Sequence, residues 1–251
     1  MLYIVATPIG NLEDISLRAL RILNEVDFVL CEDTRVTKKL LDHYKIKTPT
    51  TSYHQHSKEG KTNHILNLLK KGKNLALVSD AGTPGISDPG GRLVQAVAEK
   101  FGDETTIESV PGPSAVTAAL SISGVPTDKF VFLGFPPHKK GRNLFLEKVM
   151  ESEFPVVVYE SKHRIIKFLE ELIRLNKEVE KFNLAAEEKN QKINIKKKQI
   201  KKKRLVSSVV VCRELSKMHE TVYRGELESI IKKIKDSPGD QKGEFVVIVG
   251  K

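Results

Sequence analysis

Two cysteines in 251 residues, Cys31 and Cys212, are too few and too far apart for a disulfide framework, and they match no zinc spacing. Each lies in an apolar, strand-like run, so both are expected to be buried and inert. No apolar stretch approaches the roughly 20 residues that a membrane-spanning helix needs. Met1 leads straight into apolar residues without a basic leader or a small-residue cleavage site. The expectation is a soluble, cytoplasmic chain with no membrane partner. The glycine fingerprint of a dinucleotide-binding fold is missing, which leaves nicotinamide and flavin enzymes of that design without support. Gly60-Lys61-Thr62 ends like a phosphate-binding loop, but the earlier glycine that this motif needs falls on Gln55. His54 and His56 alternate with no nearby Cys or carboxylate to complete a ligand set, so no metal is expected.

With 39% hydrophobic and 29% charged residues, the composition is that of a globular chain able to bury a core. The charge is lopsided: 42 basic against 32 acidic residues leave a net +10, which favours polyanionic partners and nucleic acid first among them.

Short apolar runs at 2–6, 27–31, 74–79 and 106–110 read as strands. Helical patterns fill the gaps, most clearly where Leu93, Val94, Val97, Ala98 and Phe101 repeat on one face. Strand-helix alternation predicts a parallel sheet covered by helices, with ligands bound at the carboxyl ends of its strands. The expected organisation is an N-terminal α/β domain over 1–113 and a second α/β domain over 114–251, with strands near 131–135, 156–159, 206–212 and 245–249. One polar segment, 176–204, breaks the pattern and crowds Lys196, Lys197, Lys198, Lys201, Lys202, Lys203 and Arg204 together. It reads as a basic surface insertion, either a solvated excursion or an arm that grips RNA.

Three loops rich in Gly and Pro follow predicted strands: Thr7-Pro8-Ile9-Gly10-Asn11, the run from Ser79-Asp80-Ala81-Gly82-Thr83-Pro84 to Gly90, and Pro111-Gly112-Pro113-Ser114-Ala115. Small, rigid residues let a flat ligand approach backbone groups closely. Any one of them is a tight turn; three at one sheet edge outline a cleft. After the strand that Cys31 closes come Glu32, Asp33, Thr34 and Arg35, candidates to take a proton (Glu32, Asp33) or clamp a phosphate or ribose (Arg35). Asp33 or Thr34 serves equally well as the N-cap of the helix continuing through Leu40 and Leu41.

These loops, together with Cys31 to Arg35, Gly134-Phe135, the Tyr159 to Arg164 run and Arg213-Glu214-Leu215-Ser216-Lys217, resemble the tetrapyrrole methylase superfamily, and within it the branch that methylates ribosomal RNA. The resemblance runs in order from Leu2 to Gly250. It implies a two-domain tetrapyrrole methylase-like α/β fold, a homodimer, S-adenosylmethionine bound in a cleft between the domains, and methylation of the ribose 2′-oxygen of a decoding-region cytidine in 16S rRNA, in the small ribosomal subunit. It also implies that Asp80, Thr83, Ser114 and Ala115 line the cofactor pocket, with Ala81 and Gly82 in the same loop. Pro8 to Gly10 would form its floor, and Tyr159 and Arg213 would approach from the second domain. Lys162, where relatives commonly carry Pro or Thr, and the long 176–204 segment depart from the pattern. Two rival readings remain at this point: methylation of a tetrapyrrole ring, and a non-catalytic RNA-binding assembly factor.

Overall fold

In the computed structural model, residues 1–54, 59–88, 90–191, 200–237 and 239–250 are described. The chain divides into two compact units, Met1–Ala115 and Val116–Lys251. The first holds strands β1 (Leu2–Val5), β2 (Phe28–Cys31), β3 (Thr50–Ser52), β4 (Leu75–Leu77) and β5 (Ile107–Val110), with helices α1 (Leu17–Glu25), α2 (Thr34–His43), α3 (Glu59–Lys70) and α4 (Gly90–Phe101) between them. The strands pair in the order β3-β2-β4-β1-β5, and every pairing is parallel.

A parallel sheet is covered on both faces, so its strands must be apolar on both. That demand is met by alternation. Leu2, Leu30, Leu75 and Leu77 pack on one face with Ile65, Leu66 and Leu69 of α3 and Leu93 and Val97 of α4. Val5, Val29, Cys31 and Ala76 pack on the other with Ala19, Ile22 and Leu23 of α1 and Leu41 of α2. The stripe read from the sequence on α4 holds at Leu93 and Val97, while Ala98 turns out to solvent. Both cysteines are free and buried, and burial raises their thiol pKa values, that of Cys212 to about 11. Burial therefore favours the protonated thiol, a poor nucleophile.

The second unit opens with α5 (Ala115–Ser123) and continues with β6 (Val131–Gly134), α6 (Arg142–Glu151), β7 (Val156–Ser161), α7 (Ile165–Gln191), β8 (Ser208–Arg213), β9 (Thr221–Gly225), α8 (Leu227–Asp236) and β10 (Glu244–Gly250). Its sheet is mixed, in the order β6-β7-β10-β8-β9: β6 runs parallel to β7, and the remaining pairs are antiparallel. Val156, Val158, Val209, Val211, Val247 and Val249 form one face of the core, closed by α6, the first half of α7, and α8. Phe168 on α7 is fully enclosed there. Phe168→Ala is expected to lower the unfolding free energy by about 3–5 kcal/mol, read from denaturant titration, because a large side chain leaves a cavity that the valines around it cannot close.

The structure corrects two expectations. Residues 176–191 are not an irregular excursion: they continue α7 without a break, giving a helix of 27 residues. The sequence pattern also missed β3 and β9. Both lie at sheet edges, where a strand is hydrogen-bonded to a neighbour on one side only.

Candidate active site

The helix after β1 packs on one face of the first sheet and the helix after β4 on the other, although the two strands are neighbours. This is a topological switch point, where open α/β sheets leave a crevice beyond the carboxyl ends of their strands. The three Gly- and Pro-rich loops leave β4, β1 and β5, adjacent strands in that order, and β2 ends beside β4.

Hydrogen bonds knit the four strand ends together. Thr7 and Gly82 exchange backbone bonds in an isolated antiparallel bridge, 2.9 and 3.0 Å long. The buried Thr7 hydroxyl donates to the Ser79 carbonyl at 3.1 Å, and the Ser79 hydroxyl donates to the Gly82 carbonyl at 3.0 Å. Thr83 donates its hydroxyl to the Pro113 carbonyl at 3.2 Å, tying the β4 loop to the β5 loop. Asp80 accepts the Asp33 amide at 3.2 Å, tying the β4 loop to the end of β2. The β4 loop is therefore the hub, and its glycines are there by necessity. Gly82 has φ of +82°, a left-handed conformation, and lies against Ile9 and Pro113. A β-carbon at Gly112 would sit 3.0 Å from that of Ala6. Asp88, quoted from the sequence only as part of the loop, accepts the Gly85 amide at 2.6 Å and the Gly90 amide at 2.7 Å, fixing the start of α4. Pro8, Gly82 and Pro84 are buried, while Gly10, Asp80 and Ala81 are exposed; Thr83, Ser114 and Ala115 are half-buried.

At the end of β2 the candidate carboxylates divide by environment. Asp33 is the N-cap of α2 and accepts the Arg35 amide at 2.8 Å. The Arg35 guanidinium also grips it with both ends, at 2.7 to 3.3 Å, and these bonds hold its carboxyl down at about 2. A carboxylate so stabilised is a weak proton acceptor. Glu32 has the opposite surroundings: desolvation, then the negative charges of Asp80 and Asp88, raise its pKa above the ordinary carboxylate range. Asp33→Asn is expected to leave methyl transfer near wild type, because Asn caps a helix as well as Asp does, and to lower the melting temperature at neutral pH only by what the exposed pairing with Arg35 contributes. The stability that the Asp33 carboxylate contributes is present above pH 3.8 and lost as the pH falls towards 2, a limb of the acid-unfolding curve that Asp33→Asn removes.

In the second unit, Tyr159 packs edge-on against Phe132 and tilted against Phe135, with ring centroids 5.0 and 5.4 Å apart, and burial raises its phenol pKa. Arg213 is buried and uses its guanidinium inside its own unit, donating to the carbonyls of Lys242, His219 and Gly239 at 2.7 to 2.9 Å. Those bonds brace the turns before β9 and β10. Glu160 is buried, ion-paired with Arg164 at 2.9 Å, and keeps one carboxylate oxygen without a partner. His163 and Lys162 are exposed. Gly60, Lys61 and Thr62 form the first turn of α3, where Lys61 reaches the Ser52 hydroxyl. Gln55 and His56 lie outside the described residues. Among the described residues, no group of three His, Cys, Asp or Glu side chains is placed to hold a metal, and no helix is long and apolar enough to cross a membrane.

A family model described as Tetrapyrrole (Corrin/Porphyrin) Methylases matches residues 1–231. The chain belongs to this family of methyltransferases. Among its sequence relatives are proteins named ribosomal RNA small subunit methyltransferase I: one from Synechocystis sp. is 40% identical over 250 residues, spanning 99% of this chain and 78% of the relative. Others are one from Hydrogenobaculum sp., 38% identical over 251 residues, 100% of this chain and 95% of the relative, and one from Escherichia coli O157:H7, 37% identical over 249 residues, 99% of this chain and 77% of the relative. Among solved structures, a cobalt precorrin-4 methyltransferase of cobalamin biosynthesis superposes with a TM-score of 0.64 at 16% identity, covering 99% of this chain and 94% of that one. A uroporphyrin-III C-methyltransferase from Thermus thermophilus superposes with a TM-score of 0.59 at 18% identity, covering 100% and 94%. At that identity the two structures speak to the fold alone.

Proposed function

We propose that this chain transfers the methyl group of S-adenosylmethionine to the ribose 2′-oxygen of a cytidine in the decoding region of 16S rRNA. The observation that carries the reading is the knot of strand ends around Gly82, together with relatives at 37–40% identity that are named for small-subunit ribosomal RNA. The residues present fit the cofactor. Small side chains at Ala81, Ser114 and Ala115 let a flat ligand approach the backbone, Gly82 ties the loop that carries Ala81 to Thr7, and the exposed Asp80 carboxylate favours a sulfonium cation nearby. Bound there, S-adenosylmethionine supplies an electrophilic methyl group.

The chain's own residues supply positioning and a destination for a proton. Holding the acceptor oxygen in line removes much of the entropic barrier to a two-body reaction. As the new oxygen-carbon bond forms and the methyl-sulfur bond breaks, the hydroxyl proton must leave. Glu32 is assigned as its acceptor, since its raised pKa makes it a stronger base than Asp33. Arg35 stays bonded to Asp33 through Nε and Nη2, and its side chain, 87% exposed, presents its remaining edge to RNA phosphate. A dimer in the cytoplasm belongs to the same proposal. Incubation with methyl-labelled S-adenosylmethionine and either isolated small ribosomal subunits or a uroporphyrinogen tests it. Label is expected in the RNA; label in the tetrapyrrole would assign the other branch of the family.

A further inference from the structure

Beyond the core, α7 carries asparagine at a strict interval of seven: Asn176, Asn183 and Asn190. Each side chain acts as a backbone partner for a segment returning along the helix. Asn190 donates to the Ile200 carbonyl at 2.9 Å and accepts its amide at 2.8 Å. Asn183 makes the same pair with Lys203, both bonds 2.8 Å, and Asn176 with Val206, both 3.0 Å. Seven helical residues advance about 10.5 Å, and three extended residues advance about 10 Å. The two repeats therefore stay in step over all three rungs.

Four consecutive cations, Lys201, Lys202, Lys203 and Arg204, occupy this pinned stretch, and all are exposed. Lys202 pairs with Glu187 of the helix, and the Lys203 ammonium lies 5.2 Å from the centre of the exposed Phe182 ring. Lys201 and Arg204 each follow a rung by one residue and so hold equivalent places in the repeat. Fixing four like charges in a row is unfavourable for a chain with nothing to bind, since such runs repel and stay loose. Here the side-chain amides hold them regardless of that repulsion.

We propose that residues 200–206 form a rigid basic rail that grips the phosphate backbone of RNA, with Phe182 beside it as a face on which a base can stack. The inference rests on the RNA reading above and adds the place and manner of contact. Because phosphate contacts position without reading sequence, the rail should strengthen cognate and unrelated RNA alike.

Two variants test it. One replaces Lys201, Lys202, Lys203 and Arg204 with serine. The other, Asn183→Ala with Asn190→Ala, keeps every charge but removes two rungs. Binding of each to small ribosomal subunits and to an unrelated RNA is titrated against salt. Each phosphate contact contributes roughly 0.7 to 0.9 to the log-log slope. If Lys201 and Arg204 each engage one phosphate, the serine variant should flatten the slope by about 1.4 to 1.8, from two such contacts. The charge-preserving variant should flatten it as well, with S-adenosylmethionine affinity unchanged in both. A wild-type slope in the serine variant would overturn the RNA contact and leave an acidic protein as the partner to seek. A wild-type slope in the asparagine variant alone would overturn the rail, leaving the charges active without their scaffold. Labelled methyl transfer by the wild-type protein to the same subunits reports separately on the RNA reading, so the two failures are distinguishable.

Discussion

Gly82→Val is expected to weaken S-adenosylmethionine binding by at least about a hundredfold while the chain stays folded. At φ of +82°, a β-branched residue is strained by roughly 1–3 kcal/mol. A β-carbon there meets Ile9 at 3.5 Å and the Pro113 carbonyl at 3.7 Å, ordinary contacts, so the left-handed backbone rather than crowding at the β-carbon is what valine opposes. Strain at this point opens the bridge to Thr7 and, through Thr83, loosens the hold on Pro113. All three loops of the pocket lose their register together, whereas the sheet below, with Leu75 and Ala76 fully buried, is untouched. Isothermal titration with circular dichroism on the same sample separates the two effects. Unchanged affinity in the folded variant would remove the pocket from this strand end.

Glu32→Gln should lower kcat by about 10²- to 10⁴-fold, the range for removing a positioned proton acceptor, with KM for both substrates little changed. Stability should move the other way. A carboxyl whose folded pKa is raised above its unfolded value contributes stability only at low pH, and that contribution is lost as the pH rises through the folded pKa. At neutral pH, Gln removes a disfavoured charge beside Asp80 and Asp88, so the melting temperature should hold or rise. In the wild type, the acid limb of the rate profile should lie above the ordinary carboxylate range, and Glu32→Gln should abolish that limb. A variant that loses rate only by losing stability would contradict the assignment.

The first unit was readable from the sequence because a parallel sheet buried on both faces leaves short apolar runs, and β1, β2, β4 and β5 lie within the runs at 2–6, 27–31, 74–79 and 106–110. Its edge was not. Thr50-Thr51-Ser52 has no apolar residue, and β3 exists because β2 offers it an unpaired edge. Residues 176–191 were misread because charge density masked their helical continuity with the start of α7. Its seven-residue asparagine spacing was in plain view, but the partners at 200, 203 and 206 are distant in sequence and give no local signal. The loops were legible as glycine and proline clusters; their mutual bonding was not, since Asp33 to Asp80 and Thr83 to Pro113 are contacts that only the strand order creates. The same holds for the choice between Glu32 and Asp33. Adjacent carboxylates look alike in sequence, and it takes the folded position of Arg35 to hold one down while Asp80 and Asp88 push the other up.

The most direct test of ribose methylation is the fate of a labelled methyl group after alkaline hydrolysis of the modified RNA. Alkali cleaves RNA through the free 2′-hydroxyl, and a methylated 2′-oxygen blocks that cleavage. The label is therefore expected in a single alkali-resistant dinucleotide whose first residue is a cytidine methylated on its ribose. Label recovered in a mononucleotide, on a base, would contradict the account.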